Sequence, residues 1–178
     1  MPFIDIHTHH IPEDITAIFI KNNFPADDPG NLQPGGFYSV GLHPWQLGNG
    51  HDHKELLSQV ERKITLNEVI AVGECGLDKL ANTESQLQLD VFISQCRLAE
   101  EVNKPLIIHC VKSYNEISHL KRKMKPAVPW ILHGYNGNAF ITRQLLLLGF
   151  YFSLGKMIFD EQSQVMEALP LIPPDHLF

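Results

Sequence analysis

Short, nearly continuous apolar runs alternate along the chain with stretches in which apolar positions return at helical spacing. The runs Phe3–His7, Phe37–His43, Val69–Cys75, Pro105–Cys110, Trp130–Gly134 and Phe150–Gly155 read as strands, and a seventh begins at His176–Phe178. Strands apolar on both sides belong to a parallel sheet covered on both faces. Between them the spacing predicts helices over Lys54–Leu66, Thr83–Asn103, Ser113–Met124, Asn138–Leu148 and Asp160–Leu169. Thr83 with Gln86 and Ser113 with Glu116 have the spacing of capping boxes. Pro105, Gly149 and Pro170 are the stops that follow three of the helices. Asn22–Gly36, rich in proline and glycine, reads as a loop.

Strand and helix in alternation, with no long polar linker, give one α/β domain. The order suits a (β/α) barrel or a doubly wound sheet. A full eight-fold barrel takes about 250 residues. Six or seven strands in 178 residues therefore predict a short or incomplete barrel.

Composition narrows the function classes. With 44% hydrophobic and 19% charged residues the chain is globular rather than disordered. A formal net charge of −6 gives no broad attraction to nucleic acid. A nucleic-acid substrate would need metal ions and a local basic patch for positive charge. The basic run Lys121, Arg122, Lys123 and Lys125 reads first as a solvated helix face. Cys75, Cys96 and Cys110 form no CxxC pair and no disulfide framework, which suits a reducing, cytoplasmic setting. No apolar run is long enough to span a bilayer, so no membrane partner is expected.

The ten histidines change the picture. His7 and His9, His43, Glu74, His109 and His133 each stand at the carboxyl end of a predicted strand, the edge where ligands bind in parallel α/β folds. His7 and His9, two apart on a strand, point to one face and can grip one ion. Asp5 faces the same way, where a carboxylate can orient a ligand. Any one of these histidines alone is more simply a satisfied core or surface residue; together, at equivalent positions, they read as a metal centre. Glu74 follows an apolar strand, and burying it is costly unless the charge is paired or binds metal. His51, His53 and His119 read as solvent-exposed, and His10 points away from His9. Cys75 and Cys110 flank ligands but face the core.

The stretches Phe3–His9, Gly41–Pro44, Ala71–Asp78, Gln88–Gln95, Pro105–His109, Leu132–Gly137 and Gly149–Tyr151 resemble, in that order, the TatD family of metal-dependent hydrolases. Related phosphoesterases also begin D-x-H-T-H; the Gly41–Pro44 and Gly73–Asp78 segments favour TatD. The resemblance implies a distorted TIM-type (β/α) barrel and two divalent ions (Mg, Mn or Zn). His7 and His9 would hold the first ion, His109 and His133 the second, with Glu74 bridging as the catalytic carboxylate. His43 and Lys112 would contact the phosphate of a DNA or small phosphoester substrate. A histidine-rich site suits zinc or manganese better than magnesium. The chain departs from the family in having His10 for a usual Leu and His133–Gly137 for a usual His-Cys-Phe-Ser-Gly. The family pattern also continues past Phe178 into a strand bearing an Asp ligand. A single domain over 1–178, without the last strand or strands and helix, is therefore expected. Hydrolysis of another ester, amide or lactone, and a metal-binding but catalytically silent protein, are the competing readings.

Overall fold

A computed structural model describes residues 4–10, 17–28, 32, 35–48, 50 and 52–178. Seven parallel strands form one sheet in chain order: β1 Ile4–Thr8, β2 Ile18–Asn23, β3 Phe37–Val40, β4 Val69–Asp78, β5 Leu106–Val111, β6 Trp130–Leu132 and β7 Tyr151–Phe152. A doubly wound sheet reverses its strand order at a switch point. No reversal occurs here, so the chain follows the sequential path of a (β/α) barrel. Among the described residues β1 pairs only with β2, and the barrel is incomplete.

Helices α1 His53–Lys63, α2 Ser85–Glu101, α3 Tyr114–Met124 and α4 Ala139–Leu147 follow β3 to β6 in turn. Phe3 and His51 lie outside the described residues, as does part of the expected loop over 22–36.

Four expectations need correction. The expected loop hides the end of β2, whose Ile18-Phe19-Ile20 run is apolar while its last residues, Asn22 and Asn23, are polar yet buried. The final helix α5 covers only Val165–Ala168 and passes into a 3-10 turn, Leu169–Leu171. Pro170 inside that turn has no N–H for an α-helical bond. Neither capping box forms. Thr83 Oγ1 donates to the carbonyl oxygens of Leu47 (2.8 Å) and Pro44 (3.3 Å), while Ser113 Oγ donates to Val111 O at 3.0 Å. The expected strand at His176–Phe178 is reduced to a parallel bridge between Leu177 and Phe152, after a 3-10 turn over Pro174–His176.

Two glutamines on α2 connect the helix to the active edge of the sheet. Gln88 and Gln95, seven apart, lie on one face of the helix. Gln95 Oε1 accepts from Leu42 N at 2.7 Å and its Nε2 donates to Leu42 O at 3.1 Å. Gln88 repeats this at the end of β4, accepting from Asp78 N at 2.8 Å and donating to Asp78 O at 3.0 Å. Each buried side-chain amide supplies the bonds that the backbone lacks where a strand ends. The residues so fixed are the neighbour of His43 and the end of the strand carrying Glu74. Gln95→Leu leaves both Leu42 groups unsatisfied, so it should destabilise by about 2–3 kcal/mol. Urea unfolding checks this, and an unchanged midpoint would show that the clamp is dispensable.

The core beneath holds Trp130, with Phe92 and Phe150 at ring-centroid distances of 5.8 and 6.1 Å. Lys121 does not belong to the solvated face read for it. Its Nζ donates to Gly149 O at 2.7 Å and lies 4.2 Å from the Phe150 ring centroid, so the basic run loses its first member to packing. Arg122, Lys123 and Lys125 are exposed.

Candidate metal centre

Glu74 is the hub. It is only 5% exposed, and its two carboxylate oxygens face different histidines. Oε2 lies 3.2 Å from His7 Nε2 and 3.8 Å from His9 Nε2. Oε1 lies 3.1 Å from His109 Nδ1 and 3.9 Å from His43 Nε2. His7 and His9 meet as the H-x-H spacing requires, with their Nε2 atoms 3.3 Å apart. His133 stands just beyond β6 with its ring centroid 4.0 Å from that of His7. The donor atoms fall into two groups that share Glu74, namely His7 with His133 and His43 with His109, each within 4.8 Å. The resemblance paired His133 with His109 instead.

The electrostatics identify what each ring offers. Burial opposes the charge on Glu74, but hydrogen bonds from His109 and His7 and the charges of nearby histidines outweigh it, holding the carboxyl well below its usual range. Burial pushes His43 and His133 down to about 4, so both are neutral near pH 7. His109 is also disfavoured by burial, yet its bonds to Glu74 and Asp78 raise it. His43 Nδ1 accepts from Trp45 N at 3.2 Å, which places the proton of the neutral ring on Nε2, toward Glu74. That nitrogen is a donor, suited to an anionic oxygen rather than to an ion. His109 is arranged the opposite way. Its Nε2 is 3.0 Å from Asp78 Oδ2 and its Nδ1 3.1 Å from Glu74 Oε1; with a proton kept on Nε2 by Asp78, Nδ1 would be free to ligate an ion that took the place of its hydrogen bond to Glu74. A carboxylate behind a ligating imidazole is the usual support of metal-binding histidine.

These shifts set an acid limit. The depressed folded-state values of His43 and His133 disfavour protonation, whereas the unfolded rings protonate near 6.5. Stability is therefore full above pH 6.5 and is lost progressively down to about pH 4, with Glu74 adding to the loss below its ordinary value and His109 opposing it. The melting temperature of metal-free protein should fall across that window. A flat profile from pH 7 to 4 would contradict it.

Two supporting residues escaped the sequence reading. Asn22, in the strand read as loop, accepts at Oδ1 from Glu74 N (2.8 Å) and from Ser39 Oγ (3.2 Å), fixing the backbone of the hub. Asp78, 2% exposed, accepts from Leu80 N and Trp45 Nε1, both at 2.7 Å, besides facing His109. An acid closing an apolar strand was the available signal for Asp78; Asn22 gave none. Asp5 holds the site by a different bond from the one expected, Oδ1 accepting from the backbone N of His7 at 3.0 Å.

The cluster opens into a cavity of about 470 Å3, walled also by Phe24, Trp45 and Gln46. Lys112 is exposed just beyond β5, with a backbone φ of 53°, and is not among the cavity's lining residues. His10 and His119 are exposed, His53 is half-buried, and Cys75 is buried. Cys110 contributes to the cavity wall, but burial pushes its thiol up to about 12, so it is no nucleophile.

The donor set fits divalent ions. Two imidazole Nε2 atoms converge on one carboxylate oxygen, a third imidazole nitrogen faces the other, and His133 Nδ1 is buried without a hydrogen-bond partner. Neutral imidazoles around a buried anion are good ligands for zinc or manganese. His109→Ala should therefore lower metal occupancy and activity together. Unchanged metal content would remove His109 from the ligand set.

Comparison with known proteins agrees with this architecture. Residues 31–178 match the family model described as TatD related DNase. The 3'-5' ssDNA/RNA exonuclease TatD of Escherichia fergusonii is 28% identical over 172 residues, covering 92% of this chain and 64% of that protein. The uncharacterized metal-dependent hydrolase YabD of Bacillus subtilis is 31% identical over 144 residues, covering 79% of this chain and 56% of that protein. The chain thus spans between about half and two thirds of the curated relatives it matches. Among solved structures, the TatD homolog YJJV of Escherichia coli superposes with a TM-score of 0.82 at 21% identity, covering 99% of this chain and 77% of that one. A TatD family hydrolase of Entamoeba histolytica gives a TM-score of 0.75 at 21% identity, covering 99% and 72%. These likenesses establish the incomplete barrel.

Proposed function

Because the chain belongs to the TatD-related DNase family, we propose that it is a divalent-metal-dependent hydrolase that cleaves phosphodiester bonds of DNA. The observation that carries this reading is the division of Glu74 between two sets of histidines, Oε2 to His7 and Oε1 to His109. A single bridging carboxylate between two imidazole sets suits a pair of ions. His7, His9 and His133 with Glu74 would hold one ion, and His109 with Glu74 the other. Ions held there would supply a water acidic enough to attack near neutral pH and positive charge against the phosphate oxygens.

The chain's own residues do the rest. His43 Nε2–H donates to a phosphate oxygen, its proton kept in place by the Trp45 amide on Nδ1. Asp78 keeps His109 oriented and Asn22 keeps the Glu74 backbone fixed. Lys112, exposed three residues after His109, would meet the substrate's phosphate backbone outside the cavity. Three free thiols suit a cytoplasmic setting, and among the described residues no helix is long and apolar enough to cross a membrane.

The test is incubation of this 178-residue chain with single-stranded DNA and manganese or magnesium, against a chelated control. Metal-dependent cleavage is expected. Metal bound at the site with no turnover of phosphodiesters, phosphomonoesters or lactones would overturn the reading in favour of a silent metal-binding protein.

A further inference from the structure

Trp45 is 62% exposed, yet it is held firmly. Its Nε1 donates to the buried carboxylate of Asp78 at 2.7 Å. Its backbone lies in a 3-10 turn, Pro44–Gln46, whose N-terminus is capped reciprocally by the His43 and Gln46 side chains. Its ring meets those of His43 and His109 edge-on, at 5.1 and 6.0 Å. A large apolar side chain exposed at a cavity wall and fixed there by a buried acid is prepared for a flat ligand.

A second aromatic stands on the His9 side. Phe24 is stacked on His9 at 5.9 Å with an interplanar angle of 22°. Its position is also fixed by polar bonds. Asp27 Oδ2 accepts from Phe24 N at 2.8 Å, and Lys63 Nζ, reaching from α1, donates to Phe24 O at 2.9 Å and to Asp27 O. Both rings line the cavity that opens over Glu74.

Charge points the same way. Among the described residues lining the cavity there is no lysine or arginine. The chain carries a formal charge of −6, and Lys121 of its basic run is buried. Within the cavity no cationic side chain is placed to grip a nucleic-acid backbone, so affinity there beyond the metal centre comes from apolar contact with the bases. Stacking supplies such affinity and tolerates any base, because every base has a π-face. About 470 Å3 is within the range of small-ligand sites, the scale of one nucleotide unit.

We propose that Trp45 is a stacking platform for an unpaired nucleobase, with Phe24 as the second aromatic wall, seating the adjoining phosphate over Glu74. This rests on the phosphodiesterase reading above. It makes an unstacked base beside the phosphate a requirement of the site, largely independent of base identity.

The test compares two fluorescein-labelled, phosphorothioate-linked single strands of equal length, in manganese. One is an oligothymidylate; the other has the same backbone with abasic residues. Anisotropy should show the abasic strand binding roughly 5- to 150-fold more weakly. Trp45→Ala should erase that preference, and Trp45→Phe should restore part of it by keeping a ring without the N–H to Asp78. Because Trp130 is buried, quenching of intrinsic fluorescence by an unlabelled oligothymidylate would report Trp45 directly. Equal binding of both strands by the unsubstituted protein, or a base preference that survives in a folded Trp45→Ala variant, would overturn the proposal. Parallel cleavage of ordinary DNA separates the two readings. Base-dependent binding without cleavage removes the hydrolase and leaves the subsite; cleavage without base preference does the reverse.

Discussion

Replacing Glu74 with glutamine should empty the metal centre and lower hydrolysis by at least about a hundredfold. Glutamine has nearly the same shape, so the cavity and the packing of β4 are kept. What it lacks is the negative charge shared between His7 on one oxygen and His109 on the other. In the metal-free state some stability should be lost as well, because the hydrogen bonds from His109 and His7 that outweigh the cost of burying the carboxylate are weaker to a neutral amide. Metal should raise the melting temperature of the unsubstituted protein and leave that of Glu74→Gln unchanged, since only a bound ligand shifts the folding equilibrium. Metal analysis of the dialysed proteins and two melting curves decide the matter. A Glu74→Gln protein that retains metal at the original stoichiometry would remove Glu74 from the centre of the site.

Gly76→Ala should be the most damaging small substitution near the site, costing about 3 kcal/mol or more. Gly76 is paired in register with His109 of the neighbouring strand. A Cβ built on it would lie 1.9 Å from the His109 carbonyl oxygen, which is backbone and cannot rotate away. Its φ of 153° adds a backbone conformation that an L side chain seldom takes. Either β4 moves away from β5, or His109 leaves its place against Glu74 and Asp78. For a domain of this size the melting temperature should drop by roughly 6–12 °C, with metal affinity falling alongside. Alanine at Gly134, where a Cβ meets nothing within 4 Å though φ is 56°, should cost far less. Equal effects at the two positions would show that strand spacing is not what Gly76 protects.

The two predictions separate the chemistry of the site from the scaffold that places it. Glu74 acts through charge, whereas Gly76 acts through the distance between two backbones. Both lie in the short segment Gly73–Asp78, and it ends on Asp78, whose one carboxylate orients His109 and holds the Trp45 indole. Few other segments of the chain concentrate so many constraints.

The alternation of apolar runs and helical spacing was enough to determine an α/β fold, and the position of polar residues at strand ends singled out His7, His9, Glu74, His109 and His133, which the structure brings together. Both are one-dimensional signals: strand period, helix period and the fact that a strand's carboxyl end is where its next side chain meets solvent. The tertiary structure decided what such signals do not carry. β2 was illegible at its end because Asn22 and Asn23 are polar, and only contacts with Glu74 and Ser39, far along the chain, occupy the Asn22 Oδ1 in the interior. The capping boxes failed because Thr83 found carbonyls of a different loop, and Lys121 left the solvated face because Gly149 O lay within reach. The pairing of His133 with His7 and the anchoring of Trp45 by Asp78 likewise depend on partners far along the chain. Sequence determines which groups arrive at the sheet edge; which group faces which is decided only when strands, turns and helices close together in space.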